Sequence, residues 1–368
     1  NIDAKDVDFA ERDGMQGGRI FYYEEKKNWW SRAGVPANMP KGEPGGPDSE
    51  MFWDFGADLR LHENSEFKDQ ICHVNCDCGR FLEIGNNVFM QYIKTDKGFK
   101  PLPKGNIDFG GGLERLVAAS NDDQDVFKTD LFDLIIKKIE ELAGKGYKEK
   151  ISPGPSFPKR EEENTKAMRI IADHIKAATF LLAEGLEPSN TERGYVLRRL
   201  IRRAVRYGKQ LGINEIFTFK IASVVVEMYR EVYSELYKSI KFIEEQLVME
   251  EEKFSKTLEK GLKEFNNFVL RREPRAGRIG VAWDQGILYG DDAFYLYQSF
   301  GFPKEIMIEL CNEKGVQFDE KGFEEEVQKH QNLSRAGADQ KFKGGLADHS
   351  AATTKYHTAT HLLLAALR

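Results

Sequence analysis

The stretch from Pro188 to Gly208 constrains the fold most, because its charged and apolar side chains separate at helical spacing. At about 100° per residue, one arc carries only arginines. These are Arg198, Arg199, Arg202, Arg203 and Arg206. The opposite arc carries the apolar residues Leu197, Leu200, Ile201, Ala204 and Val205. The pattern predicts an amphipathic helix that begins at a capping box, Ser189 and Glu192, and ends at Gly208.

The five arginines predict a binding partner outside their own helix. Guanidinium groups this close together repel one another, and no acid lies among them at the i,i+4 spacing that would relieve the repulsion. Phosphate is the favoured partner because arginine binds it bidentately, so a nucleic acid is expected. Two alternatives stay open: a solvated face, or pairing with acids from elsewhere in a chain of formal charge −6. That net acidity excludes broad coating of nucleic acid and predicts a local contact.

Length and composition place few other limits on the chain. Its 368 residues predict two or three domains. No apolar run is long enough to cross a bilayer, and nothing at the start resembles a signal peptide, so we expect a cytoplasmic protein without a membrane partner. Because the chain begins at Asn1 and stops at Arg368 inside an apparent helix, we expect a piece of a larger protein. A homo-oligomer would form through regions outside this sequence.

The pattern of apolar residues changes after Asp125, and the two patterns together predict an α+β protein. Residues 1–124 alternate short apolar and aromatic runs with Gly and Pro, which predicts a mixed or antiparallel sheet with strands such as Val88–Ile93. Residues 125–340 follow helical periodicity, including short helices before Gly301, at Lys304–Lys314 and near residues 323–333, and a long helix or hairpin at 217–269. Residues 341–368 begin with the flexible segment KFKGGLADHS and form a linker and the start of a third domain.

The segment NIDFGGGLERLVAAS, residues 106–120, predicts a strand, a glycine turn and a helix. Three consecutive glycines remove every β-carbon where the chain turns, so a ligand can approach the backbone closely. The helix start then offers free N–H groups to an anion. Asp108 and Arg115 flank the same small space. The alternative is that the glycines only permit close packing of strand against helix.

Three of the four cysteines, Cys72, Cys76 and Cys78, lie within seven residues in ICHVNCDCGR. Thiolates at this spacing on a turn can bind one zinc ion tetrahedrally if a fourth donor joins them. His62 and His73 are both near enough in sequence to be that donor. The spacing departs from the usual paired C-x-x-C, so free cysteines that line a loop are an equal alternative.

Two histidines near the end of the chain, His357 and His361, stand four residues apart in HTATH. On a helix they would share one face and could chelate a metal ion together. No Glu follows His357, which excludes the H-E-x-x-H pattern of a metalloprotease.

The sequence GGGLER has the form of the third signature motif of class II aminoacyl-tRNA synthetases, and its surroundings resemble the alanyl-tRNA synthetases. The resemblance implies ATP, Mg²⁺ and alanine as ligands, with two catalytic residues: Asp108 would hold the ammonium group of alanine, and Arg115 would hold ATP. The runs NWW, PGGPDSE and LEIGNNVFMQY resemble the alanine pocket of that family. The implied substrate-binding residues are Trp30, Asn86, Val88, Asp108, Gly110, Gly112 and Arg115.

The later part of the chain extends this resemblance. The segment from Arg169 to Gly208 is similar to the tRNA-recognition domain of the family, and HTATH resembles the first zinc half-site of its editing domain. The implied partner is tRNA(Ala), and the implied zinc ligands are His357 and His361. The implied tRNA-binding residues are Asn190, Arg193, Arg198, Arg199, Arg202, Arg203, Arg206 and Gln298.

Several departures from the family limit these expectations. Class II motifs 1 and 2 have no counterpart, so this chain alone is not expected to activate alanine. Gly85 stands where the family has Trp, and Gln298 stands where it has an acid. The β-barrel of the editing domain is absent before HTATH. The resemblance implies a fragment of a ligase that activates alanine with ATP, transfers it to the 3′ end of tRNA and edits mischarged tRNA. The alternative is a non-catalytic tRNA-binding protein derived from such an enzyme.

Overall fold

The computed structural model describes residues 11–12, 19–148, 157–269 and 286–341, and the side-chain surroundings of residues 19–148, 163–269 and 286–332. The chain forms two compact units, Asn1–Lys138 and Ile139–Arg368. The division into three domains, with bounds at 124/125 and 340/341, stays a prediction.

Unit 1 is built on a four-stranded antiparallel sheet with the order β3-β4-β5-β6. Its strands are β3 (Trp29–Trp30), β4 (Pro44–Asp54), β5 (Phe81–Thr95) and β6 (Gly98–Gly110). A separate antiparallel pair joins β1 (Glu11–Arg12) and β2 (Phe21–Tyr22). Helix α1 (Leu113–Ser120) follows β6. The predicted antiparallel sheet of an α+β protein is therefore confirmed.

The β5–β6 hairpin fixes the register of the central strands. Thr95 pairs with Gly98, so Asp96 and Lys97 form a two-residue loop. Gly98 has φ 105°, a left-handed conformation that glycine adopts without strain. The Thr95 hydroxyl donates to the Gly98 carbonyl over 2.7 Å. The predicted strand Val88–Ile93 lies inside β5, which continues to Thr95.

The described remainder of the chain is mainly helical. Its helices are α2 (Asp133–Ala143), α3 (Phe157–Ala183), α4 (Glu192–Leu211), α5 (Thr218–Tyr229), α6 (Ser234–Lys238), α7 (Ile240–Val269), α8 (Gly290–Phe300), α9 (Lys304–Lys314) and α10 (Glu320–Lys341). A short parallel pair joins β7 (Ile287–Leu288) and β8 (Gln317–Phe318). The predicted helix at 304–314 matches α9, and α8 ends at Gly301 as predicted, with φ 68° at that glycine.

Helix α4 is the arginine-rich helix, and it packs against α3, α5 and α7. Leu197, Ile201 and Ala204 on its predicted apolar arc are fully buried. These residues of the apolar arc therefore lie in the core of unit 2, as the periodicity of the helix predicts.

Both predicted ends of α4 are wrong. The helix begins after Thr191, and the Ser189 hydroxyl donates to the Thr191 carbonyl over 3.0 Å instead of capping a backbone N–H group of the first turn. At the other end the helix continues past Gly208 and stops at Gly212, where φ is 92°. Gly208 instead allows the Phe217 ring to pack against the helix backbone, because a β-carbon there would lie 2.3 Å from that ring.

Candidate functional sites

A cavity of about 320 Å³ lies beside the central strands of unit 1. Its lining contains all seven residues predicted to bind alanine and ATP, together with six neighbours. The lining residues are Trp30, Glu83, Ile84, Gly85, Asn86, Val88, Met90, Asp108, Phe109, Gly110, Gly111, Gly112 and Arg115. The structure thus brings the predicted substrate residues together, and their individual roles stay predictions.

Strand register explains why these residues meet. Asp108 of β6 pairs with Val88 of β5, and Gly110 pairs with Asn86. Because side chains alternate across a strand, Asn86 and Val88 share one face of the sheet. The pocket is therefore framed by two adjacent strands and the turn that follows them.

The glycine turn has the predicted form, with β6 ending at Gly110 and α1 beginning at Leu113. The glycines differ in their surroundings. A β-carbon at Gly111 would lie 3.1 Å from the Phe109 ring, whereas one at Gly110 would meet nothing within 4 Å. Close packing therefore accounts for Gly111 but not for Gly110, which borders open space in the cavity.

Gly85 stands where the resemblance implies a Trp, and it is buried. A β-carbon at Gly85 would lie 2.8 Å from the Phe109 ring and 2.9 Å from the Met51 methyl carbon. The Phe109 ring therefore fills the space that a larger side chain at position 85 would need, and this contact shapes the cavity wall.

Carboxylates that sequence reasoning missed surround Asn86 and Arg115. The Arg115 guanidinium donates to Glu83 Oε2 over 2.8 Å and to the Glu83 carbonyl over 3.2 Å. The Asn86 amide donates to Asp48 Oδ2 over 3.1 Å and to Glu50 Oε1 over 3.4 Å. The sequence contained a signal for two of these acids. Asp48 and Glu50 of PGGPDSE are two residues apart, as expected for side chains on one face of a strand. The structure forms β4 there.

Glu50 is the most perturbed of these acids. Burial raises the pKa of Glu50 to about 7, and the carboxylates of Glu83 and Asp48 add to the effect. Burial also raises the pKa of Asp48. The neighbourhood of Asn86 therefore gains negative charge as the pH rises toward neutrality.

The predicted cysteine cluster converges on His62. The donor atoms of His62, Cys72, Cys76 and Cys78 all lie within 4.8 Å of one another, and these four residues could hold a metal ion. His73, the other candidate donor, lies outside this set, and its Nδ1 is 3.0 Å from the Tyr23 hydroxyl.

A second cavity, of about 480 Å³, lies in unit 2 and brings together Asn190, Arg198 and Gln298. The Arg198 guanidinium donates to Asn190 Oδ1 and, over 3.1 Å, to the Pro188 carbonyl. Gln298 Nε2 lies 3.3 Å from His330 Nε2. Lys253 and His330 also line this cavity, and no motif in the sequence pointed to them.

The arginine face of α4 is paired within the chain in this structure, and phosphate binding by that face stays a prediction. Carboxylates of α7 and α9 occupy that face, as the alternative of intrachain pairing required. The pairs are Arg198–Glu250, Arg199–Glu305, Arg202–Glu250, Arg203–Glu309, Arg206–Glu309 and Arg206–Glu313.

The arginines of this face differ in burial. Arg202 and Arg206 are each only 6% exposed, and Arg202 also lines the 480 Å³ cavity of unit 2. Arg199 and Arg203 are partly exposed but paired, with the Arg203 Nε donating to Glu309 Oε1 over 2.6 Å. Arg193 is exposed. The tRNA-binding roles expected for these arginines, Asn190 and Gln298 stay predictions.

The predicted editing-domain ligands His357 and His361 lie outside the described residues. Within the described part of the chain, no helix has both the length and the apolar character that a bilayer crossing requires.

Comparisons with known proteins agree on one family. A family described as tRNA synthetases class II (A) matches residues 5–365. The alanine–tRNA ligase of Borreliella afzelii (strain PKo) is 42% identical over 358 residues, which cover 96% of this chain and 54% of that protein. The alanine–tRNA ligase of Treponema pallidum (strain Nichols) is 40% identical over 363 residues, which cover 97% of this chain and 54% of that protein. The chain thus spans about half the length of these relatives.

Proposed function

Because the chain belongs to the class II tRNA synthetases (A), we propose that the protein containing it is an alanine–tRNA ligase. The observation that carries the proposal is the match over residues 5–365, joined to a cavity lined by all seven residues expected around alanine and ATP. Such an enzyme joins alanine to ATP with release of pyrophosphate and then transfers the alanyl group to the 3′ end of tRNA.

We assign the amino-acid end of the cavity to Asp108, whose carboxylate would pair with the ammonium group of alanine. Arg115 would offset phosphate charge as it develops on ATP. Its present partner Glu83 holds the guanidinium at the cavity rim, 2.8 Å away, and so orients it before ATP arrives. Mg²⁺ bound with ATP would supply further charge neutralisation on the phosphates.

A pocket sized for alanine discriminates poorly against glycine and serine. One methyl or hydroxyl group changes binding by only about 1–3 kcal/mol. Hydrolytic editing in the intact protein, with zinc at His357 and His361, would remove the resulting errors. This activity and the cytoplasmic location of the protein stay proposals.

Charging of tRNA with labelled alanine by the complete gene product tests the proposed function. We expect alanine-specific charging that requires ATP. Binding of tRNA without any charging would favour the non-catalytic tRNA-binding alternative.

We further propose that the cavity of unit 2 receives the acceptor stem of tRNA(Ala). Arg198 holds Asn190 Oδ1, so the Asn190 amide nitrogen remains a donor for an acceptor on a base edge. Gln298 lines the same cavity and can both donate and accept, whereas the acid of relatives accepts only. A site with Gln298 should therefore tolerate more base-pair arrangements than a site with an acid.

Matched and stem-variant tRNAs test this assignment. Gln298→Glu should increase discrimination between them, since it removes the donor. Gln210→Glu makes the same charge change at an exposed position outside the cavity lining, and it should leave discrimination unchanged. Equal effects of the two changes would show general charge repulsion and would remove Gln298 from the reading site.

A further inference from the structure

The loop between β4 and β5 is long and lacks regular structure. Residues 55–80, all of which the structure describes, form no helix or strand. Loops longer than about 15 residues without secondary structure are uncommon in compact domains, and those that occur are usually functional or disordered. Inside this loop, His62, Cys76 and Cys78 are each 8% exposed, and Cys72 is half-buried.

Two of the distances among these four side chains match the edges of a tetrahedral metal site. Cys72 Sγ lies 4.0 Å from Cys78 Sγ, and Cys76 Sγ lies 3.5 Å from His62 Nδ1. With Zn–S near 2.3 Å and Zn–N near 2.0–2.1 Å, ideal tetrahedral edges are about 3.8 Å between two sulfurs and about 3.5 Å between sulfur and nitrogen. These two edges are therefore almost at ligand spacing, and the remaining donor distances are at most 4.8 Å, so small side-chain movements would complete the shell.

A hydrogen bond orients His62 for coordination. His62 Nε2 lies 2.9 Å from the Gln70 carbonyl, which can only accept, so Nε2 must carry the proton. The lone pair is then on Nδ1, the atom that faces Cys76. Histidine ligands of metal ions are commonly fixed in this way by a carbonyl partner on the second nitrogen.

We propose that His62, Cys72, Cys76 and Cys78 form a structural zinc site that holds the β4–β5 loop, independently of the proposed ligase function. Three thiolates and one neutral imidazole complete a tetrahedral shell, so no position is left open for catalysis. Binding releases the protons of the three thiols to solvent. The loop ends are separately tied by Arg80, which donates to both Asp54 oxygens over 2.7 Å and 2.8 Å. Zinc would fix the interior of the loop.

Metal analysis of the purified chain tests the proposal. The variant His357→Asn/His361→Asn serves as background, so that those two histidines bind no zinc. We expect about one zinc ion per chain, and cobalt substitution should give thiolate-to-cobalt charge-transfer absorption. Removal of the metal should increase amide hydrogen exchange in residues 55–80 while the helical circular dichroism remains.

Two matched pairs of variants locate the ligands. His62→Asn should lose the metal or weaken its binding at least about tenfold, whereas His73→Asn should retain it. Cys78→Ser should lose the metal, whereas Cys311→Ser, a buried cysteine of unit 2, should retain it. A folded chain that stays metal-free after exposure to zinc would overturn the site. Loss of metal from the His73 variant but not from the His62 variant would overturn the ligand assignment.

Discussion

Replacing Arg202 with Ala should destabilise unit 2 rather than only weaken tRNA binding. The Arg202 Nε lies 2.6 Å from Glu250 Oε1, and the two side chains are 8% and 6% exposed. A second nitrogen donates to the Gly301 carbonyl, and the guanidinium lies 5.1 Å from the centre of the Phe254 ring. The substitution would leave the Glu250 carboxylate buried with its main partner lost.

Breaking such a pair costs about 3–5 kcal/mol, because the remaining charge is buried without compensation. For a unit of this size, that loss lowers the melting temperature by roughly 6–20 °C. Urea and thermal unfolding followed by the helical circular dichroism signal would measure it. Arg199→Ala is the matched control, since Arg199 and Glu305 are 34% and 38% exposed, and it should cost only about 0.2–1 kcal/mol.

The double variant Arg202→Met/Glu250→Met should recover most of the loss, because it removes both buried charges together. Arg202→Ala with unchanged stability but weaker tRNA binding would refute the reasoning. That outcome would return Arg202 to the phosphate-binding role expected from its helical pattern.

Three further predictions follow from the two units. Glu50→Gln should flatten the pH dependence of stability. The pKa of Glu50 is raised to about 7, so between about pH 4.5 and 7 the folded protein holds a proton that the unfolded chain has released. The stability of the wild-type protein should therefore fall as pH rises through this range. Urea midpoints across that range measure the difference. Gly110→Ala should leave urea stability within about 0.5 kcal/mol, because its β-carbon meets nothing within 4 Å, yet it should weaken alanine-dependent activity. Gly208→Ala should cost about 1–3 kcal/mol in urea unfolding through overlap with Phe217, and Phe217→Leu should restore part of it.

The sequence predicted the ends of those helices and strands that are set by a glycine or a turn residue at the end itself. Helices α8 and α9 stop at Gly301 and Gly315, which adopt φ 68° and 64°, conformations that a glycine after a periodic segment commonly takes. Strand β5 and the glycine turn followed from apolar runs bounded by turn residues. At Gly208 the same rule failed, because that glycine accommodates the Phe217 ring and does not end its helix.

The partners of the arginine face depended on tertiary structure. Glu250 lies on α7 and the other acids lie on α9, far from α4 in sequence. One signal could have found them: Glu305, Glu309 and Glu313 recur at four-residue spacing, which complements the arginines of α4. Charge periodicity on one helix identifies a face but not whether a carboxylate or a phosphate covers it.

For the cysteine cluster too, the sequence identified the residues but not their contact partner. Spacing identified three sulfurs but left His62 and His73 as equal candidates. The fold of residues 55–80 places His62 Nδ1 3.5 Å from Cys76 and turns His73 toward Tyr23. Proximity in sequence could not make that choice, because His73 is nearer to the cysteines along the chain than His62 is.

Alanine-dependent exchange of pyrophosphate into ATP by the complete gene product tests the central claim most directly. The wild-type protein should catalyse exchange with alanine, and Asp108→Asn should raise the barrier by about 2–4 kcal/mol, a loss of roughly 30-fold to 1,000-fold, since the substrate ammonium loses its charged partner. Folded protein that shows no alanine-dependent exchange, or exchange that is unchanged in the Asp108 variant, would contradict the assignment of this cavity.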